Sequence, residues 1–102
     1  MSDKVAVIAT LKAAEGKGDE LEVAFMAALP DVEAETGTEC YIVHRSPDDA
    51  DTITVYEIYT DQAAADAHMT GDALKNLGRS LKGLLAGAPT MTTFTVKGGK
   101  GV

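Results

Sequence analysis

The chain has 102 residues, enough for one domain. Lys plus Arg total 9 against 16 Asp plus Glu, so the net charge is −7, which argues against nucleic-acid binding, where clustered positive charge must displace counterions from phosphate. Hydrophobic residues at 45% exclude a wholly disordered chain, and no apolar run approaches the roughly 20 residues that span a bilayer.

Met1-Ser2-Asp3-Lys4 carries no secretory-signal pattern, and the single cysteine, Cys40, cannot form an internal disulfide. The expectation is a cytoplasmic protein. Val5 to Leu11 is β-branched and apolar and predicts a first strand, with Val5, Val7, Ala9 and Leu11 on one face and Ala6, Ile8 and Thr10 on the other. Both faces are largely apolar, as expected of a strand covered by helices on one side and by another subunit on the other. After the Glu15 to Gly18 turn, Asp19 and Glu22 have the spacing of a capping box. Leu21, Phe25, Ala28, Leu29 and Val32 then form one apolar helix stripe. Pro30 interrupts it and predicts a kink or a fresh helical turn. Gly37 suits a left-handed end to this helix.

Cys40 to Arg45 predicts a second strand, in which Tyr41, Val43 and Arg45 alternate with Cys40, Ile42 and His44. The polar stretch Ser46 to Asp51 closes a hairpin onto a third strand, Thr52 to Tyr59, with Ile53, Val55, Glu57 and Tyr59 on one face. Thr60 or Asp61 caps a short helix with Ala64, Ala67 and His68 on one stripe, broken at Gly71-Asp72. A second piece carries Leu74, Leu77, Leu81, Leu84 and Leu85 at helical spacing. Gly87-Ala88-Pro89 stops it before a last strand, Thr90 to Val96. The order β-α-β-β-α-β is the α+β ferredoxin-like motif with an antiparallel sheet, and right-handed crossovers put both helices on one sheet face. The domain is expected over residues 1–97, with a flexible tail at 98–102. Ala6, Ile8, Thr10, Ile42, Tyr56 and Ile58 then make a second apolar sheet face, which predicts a homodimer.

Among residues that carry chemistry, His68 stands out, because a neutral imidazole takes a proton from a phenol or enol near neutral pH. The structural alternative is a helix histidine bonded to a backbone carbonyl or to Glu57. Glu57 lies on an otherwise apolar strand face, where an unpartnered carboxylate is costly. It either orients His68, stays protonated as a donor, or braces strand against helix. Tyr41 and Tyr59 offer hydroxyls for a carbonyl or developing oxyanion, or are core residues with satisfied hydroxyls. Arg45 is either a solvated charge or a partner for an acidic product, and Cys40, with no basic cluster nearby, is a packing residue. The two histidines and one cysteine match no zinc spacing, and no dinucleotide or nucleoside-triphosphate motif is present.

Three stretches together resemble the antibiotic biosynthesis monooxygenase domain family: Lys12 to Glu22; Glu35-Thr36-Gly37 leading to Tyr41 and His44-Arg45-Ser46-Pro47; and Val55 to Tyr59 followed by Asp61 and Ala67-His68. The resemblance runs from about Val5 to Val96, with Glu57 and His68 at the family's most recognisable positions. It implies a dimeric α/β barrel built by packing two sheets together. Some members oxidise polyketide aromatics to quinones without metal or flavin; others degrade haem, isomerise small metabolites or have no assigned activity. Tyr59 departs from the pattern where an indole is common, as does Pro30. No histidine lies around Leu74 to Arg79, where haem-degrading relatives place their ligand. The resemblance thus implies a cofactor-independent monooxygenase for a small electron-rich aromatic (a phenol or anthrone) or enol, with catalytic His68 and Glu57, substrate-binding Tyr41 and Tyr59, and no cofactor or metal. The alternatives are an isomerase of the same fold and a non-catalytic ligand-binding or stress-associated dimer.

Overall fold

Short runs of β-branched residues, each closed by a polar or glycine-containing turn, form four strands. A computed structural model describes residues 3–102; Met1 and Ser2, which the sequence assigns to the domain of residues 1–97, lie outside the described residues. The strands are β1 (Val5–Lys12), β2 (Thr38–Arg45), β3 (Thr52–Tyr59) and β4 (Thr90–Thr95), and the helices are α1 (Gly18–Glu33), α2 (Gln62–Thr70) and α3 (Asp72–Leu81). The sheet order is β2-β3-β1-β4, with every neighbouring pair antiparallel. This is the predicted ferredoxin-like α+β architecture, with its second helical region split in two at Gly71.

Period-two alternation sorts each strand between two environments. The helix-facing set on β1 and β3 is buried: Ala9, Leu11, Ile53 and Val55 meet Leu21, Phe25 and Ala28 of α1 and Leu77 of α3, while Val7 packs with Tyr59 and with Ala65 of α2. On the other face Ile8, Ile42 and Phe94 remain 37%, 47% and 47% exposed, although Ala6 and Ile58 are buried within the single chain. All six residues of β4 are exposed, so this edge strand lacks cover on both sides.

Several local expectations give way to tertiary contacts. Asp19 does not cap α1. The helix begins one residue earlier, at Gly18, and the Asp51 carboxylate accepts from the backbone N–H groups of Gly16 and Gly18, at 3.1 and 3.0 Å. Asp19 and Glu22 are held instead by Arg45, whose Nη2 and Nη1 reach them at 3.0 and 3.1 Å while Nε donates to the Ala50 carbonyl. Arg45 is therefore a strut between the hairpin and α1. No fresh helix starts at Pro30, because α1 runs through it and ends three residues later, where few hydrogen bonds remain to be lost. Gly37 is not left-handed; its missing Cβ matters because one would lie 2.5 Å from the Ala64 Cβ, so glycine lets α2 settle on this turn. In α2 the buried residues are Ala65 and His68, whereas Ala67 is exposed, so Ala67 does not share the sheet-facing stripe. Leu84 and Leu85 lie beyond α3, where Leu85 bridges to Ala13 and draws the chain back toward β1.

A Cβ on Gly18 would stand 1.9 Å from the Ala50 carbonyl oxygen. Gly18→Ala, which normally favours a helix, should therefore destabilise this protein by about 1–3 kcal/mol, the range of overpacked sites. Equilibrium denaturation measures it, and a stabilised variant would contradict the close packing of α1 on the hairpin.

Candidate functional site

Two polar side chains are buried among the described residues, Glu57 at 4% exposure and His68 at 3%. Their meeting follows from local rules. Glu57 and Tyr59 are two apart on β3 and share its helix-facing side. Strand pairing sets Tyr41 of β2 directly opposite Glu57. On α2, Asp61 caps the helix by accepting from Ala64 N–H at 2.8 Å, and His68 follows Ala65 by three residues, so both face the sheet.

The imidazole lies between two carboxylates. Its Nδ1 is 2.7 Å from Glu35 Oε1, and its Nε2 is 3.9 Å from Glu57 Oε1, beyond hydrogen-bond reach. Glu57 Oε1 accepts a short hydrogen bond from the Tyr59 hydroxyl. The rings of Tyr41 and Tyr59 stand 5.6 and 5.3 Å from the imidazole, both tilted against it. All four residues named from the sequence thus converge. Tyr59 is sealed in the core, its hydroxyl committed to Glu57.

Glu35 joins the cluster without being singled out for chemistry by the sequence. It sits in the turn between α1 and β2, 33 residues from His68, and its backbone N–H donates to the Val32 carbonyl. One sequence signal bears on it: a carboxylate just past a helix C-terminus is where the helix dipole disfavours negative charge.

Burial raises the carboxyl pKa of Glu57, an effect only partly offset by the Tyr59 hydrogen bond and the attraction of His68. Burial, reinforced by Glu57 and Glu35, pushes the Tyr41 phenol well above its ordinary range; Tyr59 is raised by burial and then by its bond to Glu57. Both phenols stay protonated at neutral pH, and the Tyr59 hydroxyl donates to Glu57.

Beside this cluster lies a cavity of about 110 Å³. Glu57, His68 and Tyr41 line it together with apolar residues, including Phe25, Val55, Leu74, Leu77 and Leu81. Met69 of α2 and Met91 of β4 line it and are solvent-exposed, which puts the opening between those elements. A wider depression of about 680 Å³ along α3, beside Lys75, Arg79 and Lys82, includes neither buried polar side chain, and one of about 420 Å³ beside Glu35 includes His68 without Glu57, so the smaller cavity, which both line, is the candidate site. Among the described residues no helix is long and apolar enough to cross a membrane.

The family model described as antibiotic biosynthesis monooxygenase matches residues 4–79. Among solved structures, the chain is similar to PA3566 from Pseudomonas aeruginosa, at 26% identity and TM-score 0.86, covering 96% of this chain and 98% of that one. It is also similar to a protein from Caulobacter crescentus titled "putative antibiotic biosynthesis monooxygenase", at 28% identity and TM-score 0.86, covering 93% and 91%. NE2512 from Nitrosomonas europaea, titled as of unknown function, is similar at 26% identity and TM-score 0.86, covering 95% and 92%. No curated protein matches the sequence.

Because burial raises the folded-state pKa of Glu57, its protonated form favours the fold. That contribution is complete below the unfolded-state value and is lost as pH rises through the raised one. Glu57→Gln resembles the protonated form and lacks this titration. The Tm of the variant relative to the natural protein should therefore rise from about pH 4, the ordinary carboxylate range, toward neutrality. A difference that stays constant with pH would show that Glu57 titrates as an exposed carboxylate.

Proposed function

The chain belongs to the antibiotic biosynthesis monooxygenase family, whose model it matches over residues 4–79, and on that premise we propose that it oxygenates a small, neutral phenol or enol without a cofactor. The observation that carries this reading is the polarity of the cavity: His68, Glu57 and Tyr41 meet an otherwise apolar wall. A substrate with an apolar body and a hydroxyl at one end matches that wall. About 110 Å³ is below the roughly 300–1,000 Å³ of drug-sized pockets and near the ~150 Å³ that holds benzene, so a single ring fits better than a tricyclic anthrone. The lining holds a carboxylate and no lysine or arginine, which disfavours substrates with a carboxylate or phosphate of their own.

In this mechanism Nε2 of His68 takes the hydroxyl proton, and Tyr41, with no hydroxyl partner among the described residues, donates to the oxyanion that forms. Glu57, held by Tyr59, lies close enough to stabilise the imidazolium. The electron-rich phenolate passes one electron to dioxygen, and the radical pair combines at ring carbon. Loss of water from the peroxide leaves one oxygen atom as a quinone carbonyl and the other in the water. Substrate supplies the electrons, so neither metal nor flavin is required.

Oxygen uptake with a monocyclic hydroquinone or phenol tests the reading. His68→Ala should lower turnover by about 10²–10⁴-fold, the usual worth of a general base, with the circular-dichroism spectrum unchanged. A carboxylated analogue should be turned over far less well. Product formation without oxygen uptake would instead indicate an isomerase, and tight ligand binding that tolerates His68→Ala would indicate a binding protein.

The same reading takes the protein to be a cytoplasmic homodimer. Ile8, Ile42 and Phe94 share a sheet face left bare by the helices, and an apolar patch of this kind marks an interface. Ile42→Glu should shift sedimentation from dimer to monomer at micromolar concentration; a natural chain that sediments as a folded monomer would refute the dimer.

A further inference from the structure

We propose that Glu35 is a positioning residue that holds neutral His68 as the Nδ1–H tautomer, leaving Nε2 as the nitrogen that accepts a proton from the cavity. The proposal rests on the reading of His68 as the base and assigns the group that makes it one.

An imidazole flanked by two carboxylates has a choice, since only one ring nitrogen carries hydrogen in the neutral form. A hydrogen on Nε2 would point toward Glu57 and block the lone pair needed for proton uptake. Distance decides between the two. Glu35 Oε1 stands 2.7 Å from Nδ1, within the range of a charge-assisted bond, whereas Glu57 Oε1 is 3.9 Å from Nε2. A carboxylate only accepts, so the hydrogen belongs on Nδ1. Glu57 is also engaged, because its Oε1 already accepts from Tyr59.

Glu35 is held for this task. The Thr38 hydroxyl donates to the same Oε1 at 2.9 Å, and the Thr38 N–H donates to the Glu35 carbonyl at 3.3 Å, closing the turn. Thr60 N–H donates to the Gly37 carbonyl at 3.0 Å, which ties the start of α2 to this turn. Gly37, without a Cβ, admits Ala64 one helical turn before His68. The Glu35 side chain is 21% exposed against 3% for His68, so the carboxylate stays partly hydrated while its bond reaches into the core. When Nε2 takes a proton, the positive charge forms between carboxylates at 2.7 and 3.9 Å, with no rearrangement needed.

The test is ¹⁵N NMR of histidine-labelled full-length protein at a pH where the imidazole is neutral. The natural chain should show His68 with a protonated Nδ1 and a pyridine-like Nε2. Glu35→Leu removes the acceptor and should move the hydrogen to Nε2, with kcat reduced by about 10²–10⁴-fold, as for loss of the base, and KM little changed. Glu35→Gln keeps a carbonyl acceptor and should retain the Nδ1–H tautomer and more activity than Glu35→Leu. A natural chain with Nε2–H, or a Glu35→Leu variant with an unchanged tautomer, would overturn the proposal. The spectrum needs no substrate. If the tautomers behave as expected but His68→Ala turns over normally, the base assignment fails and only the assignment of the Nδ1–H tautomer to Glu35 stands.

Discussion

An ionisable ring and a carboxylate buried side by side in a small core form the constraint on which the rest of this structure depends. Leaving Glu57 and His68 unpartnered would cost several kcal/mol each, a large share of the stability of a domain this size. The fold answers with a relay of partners: Tyr59 bonds Glu57, Glu35 bonds His68, and Thr38 bonds Glu35. Between them these partners span several elements, so the cluster ties the third strand, the second helix and the turn after the first helix to one another. A core made only of Leu and Val would fold with less precision demanded of it. The retained polar cluster gives the cavity beside it its polar side.

The remaining geometry separates this polar point from its apolar surroundings. Ala9, Phe25, Leu77 and Leu81 supply the wall of the cavity, and their low dielectric strengthens every electrostatic contact at its polar side. Hydrogen bonds to a developing oxyanion are worth more there than in water, and donors already in place lose little by reorganising. The helices cover one sheet face and leave the other bare, with Ile8, Ile42 and Phe94 exposed. The polar cluster and the apolar sheet surface therefore lie on opposite sides of the same sheet. All four strands run between the two, because Tyr41 and Met91 line the cavity on the strands that carry Ile42 and Phe94 on the bare face.

Much of this is legible in the order of residues. Alternation along β3 puts Glu57 and Tyr59 on one face with Ile53 and Val55, and helical spacing singles out His68. These are local periodicities, and a strand or helix obeys them wherever it packs. Glu35 is not legible in the same way, because its role depends on a turn meeting a helix 33 residues later. The pairing of Tyr41 with Glu57 likewise depends on the hairpin register, which runs unbroken from Arg45–Ile53 to Cys40–Ile58 and shifts only beyond it, between Thr38 and Cys40. At the start of α1, Asp19 and Glu22 have the spacing of a capping box, yet Arg45 claims both carboxylates and Asp51 takes over the helix end. Local capping is worth about 1 kcal/mol, so two ion pairs to a residue remote in sequence and a second anion are enough to displace it.

By itself, then, the sequence determined the order of strands and helices, the two faces of the sheet, and the presence of a carboxylate and an imidazole where apolar residues were expected. These follow from periods of two and 3.6 residues, which steric and hydrogen-bonding rules impose on any chain. The tertiary structure alone decided which nitrogen of His68 is bonded, which tyrosine hydroxyl is left available, and how small a ligand the cavity admits. Those outcomes rest on differences of about an ångström between atoms remote in sequence, and close packing sets such distances only when all the elements are assembled.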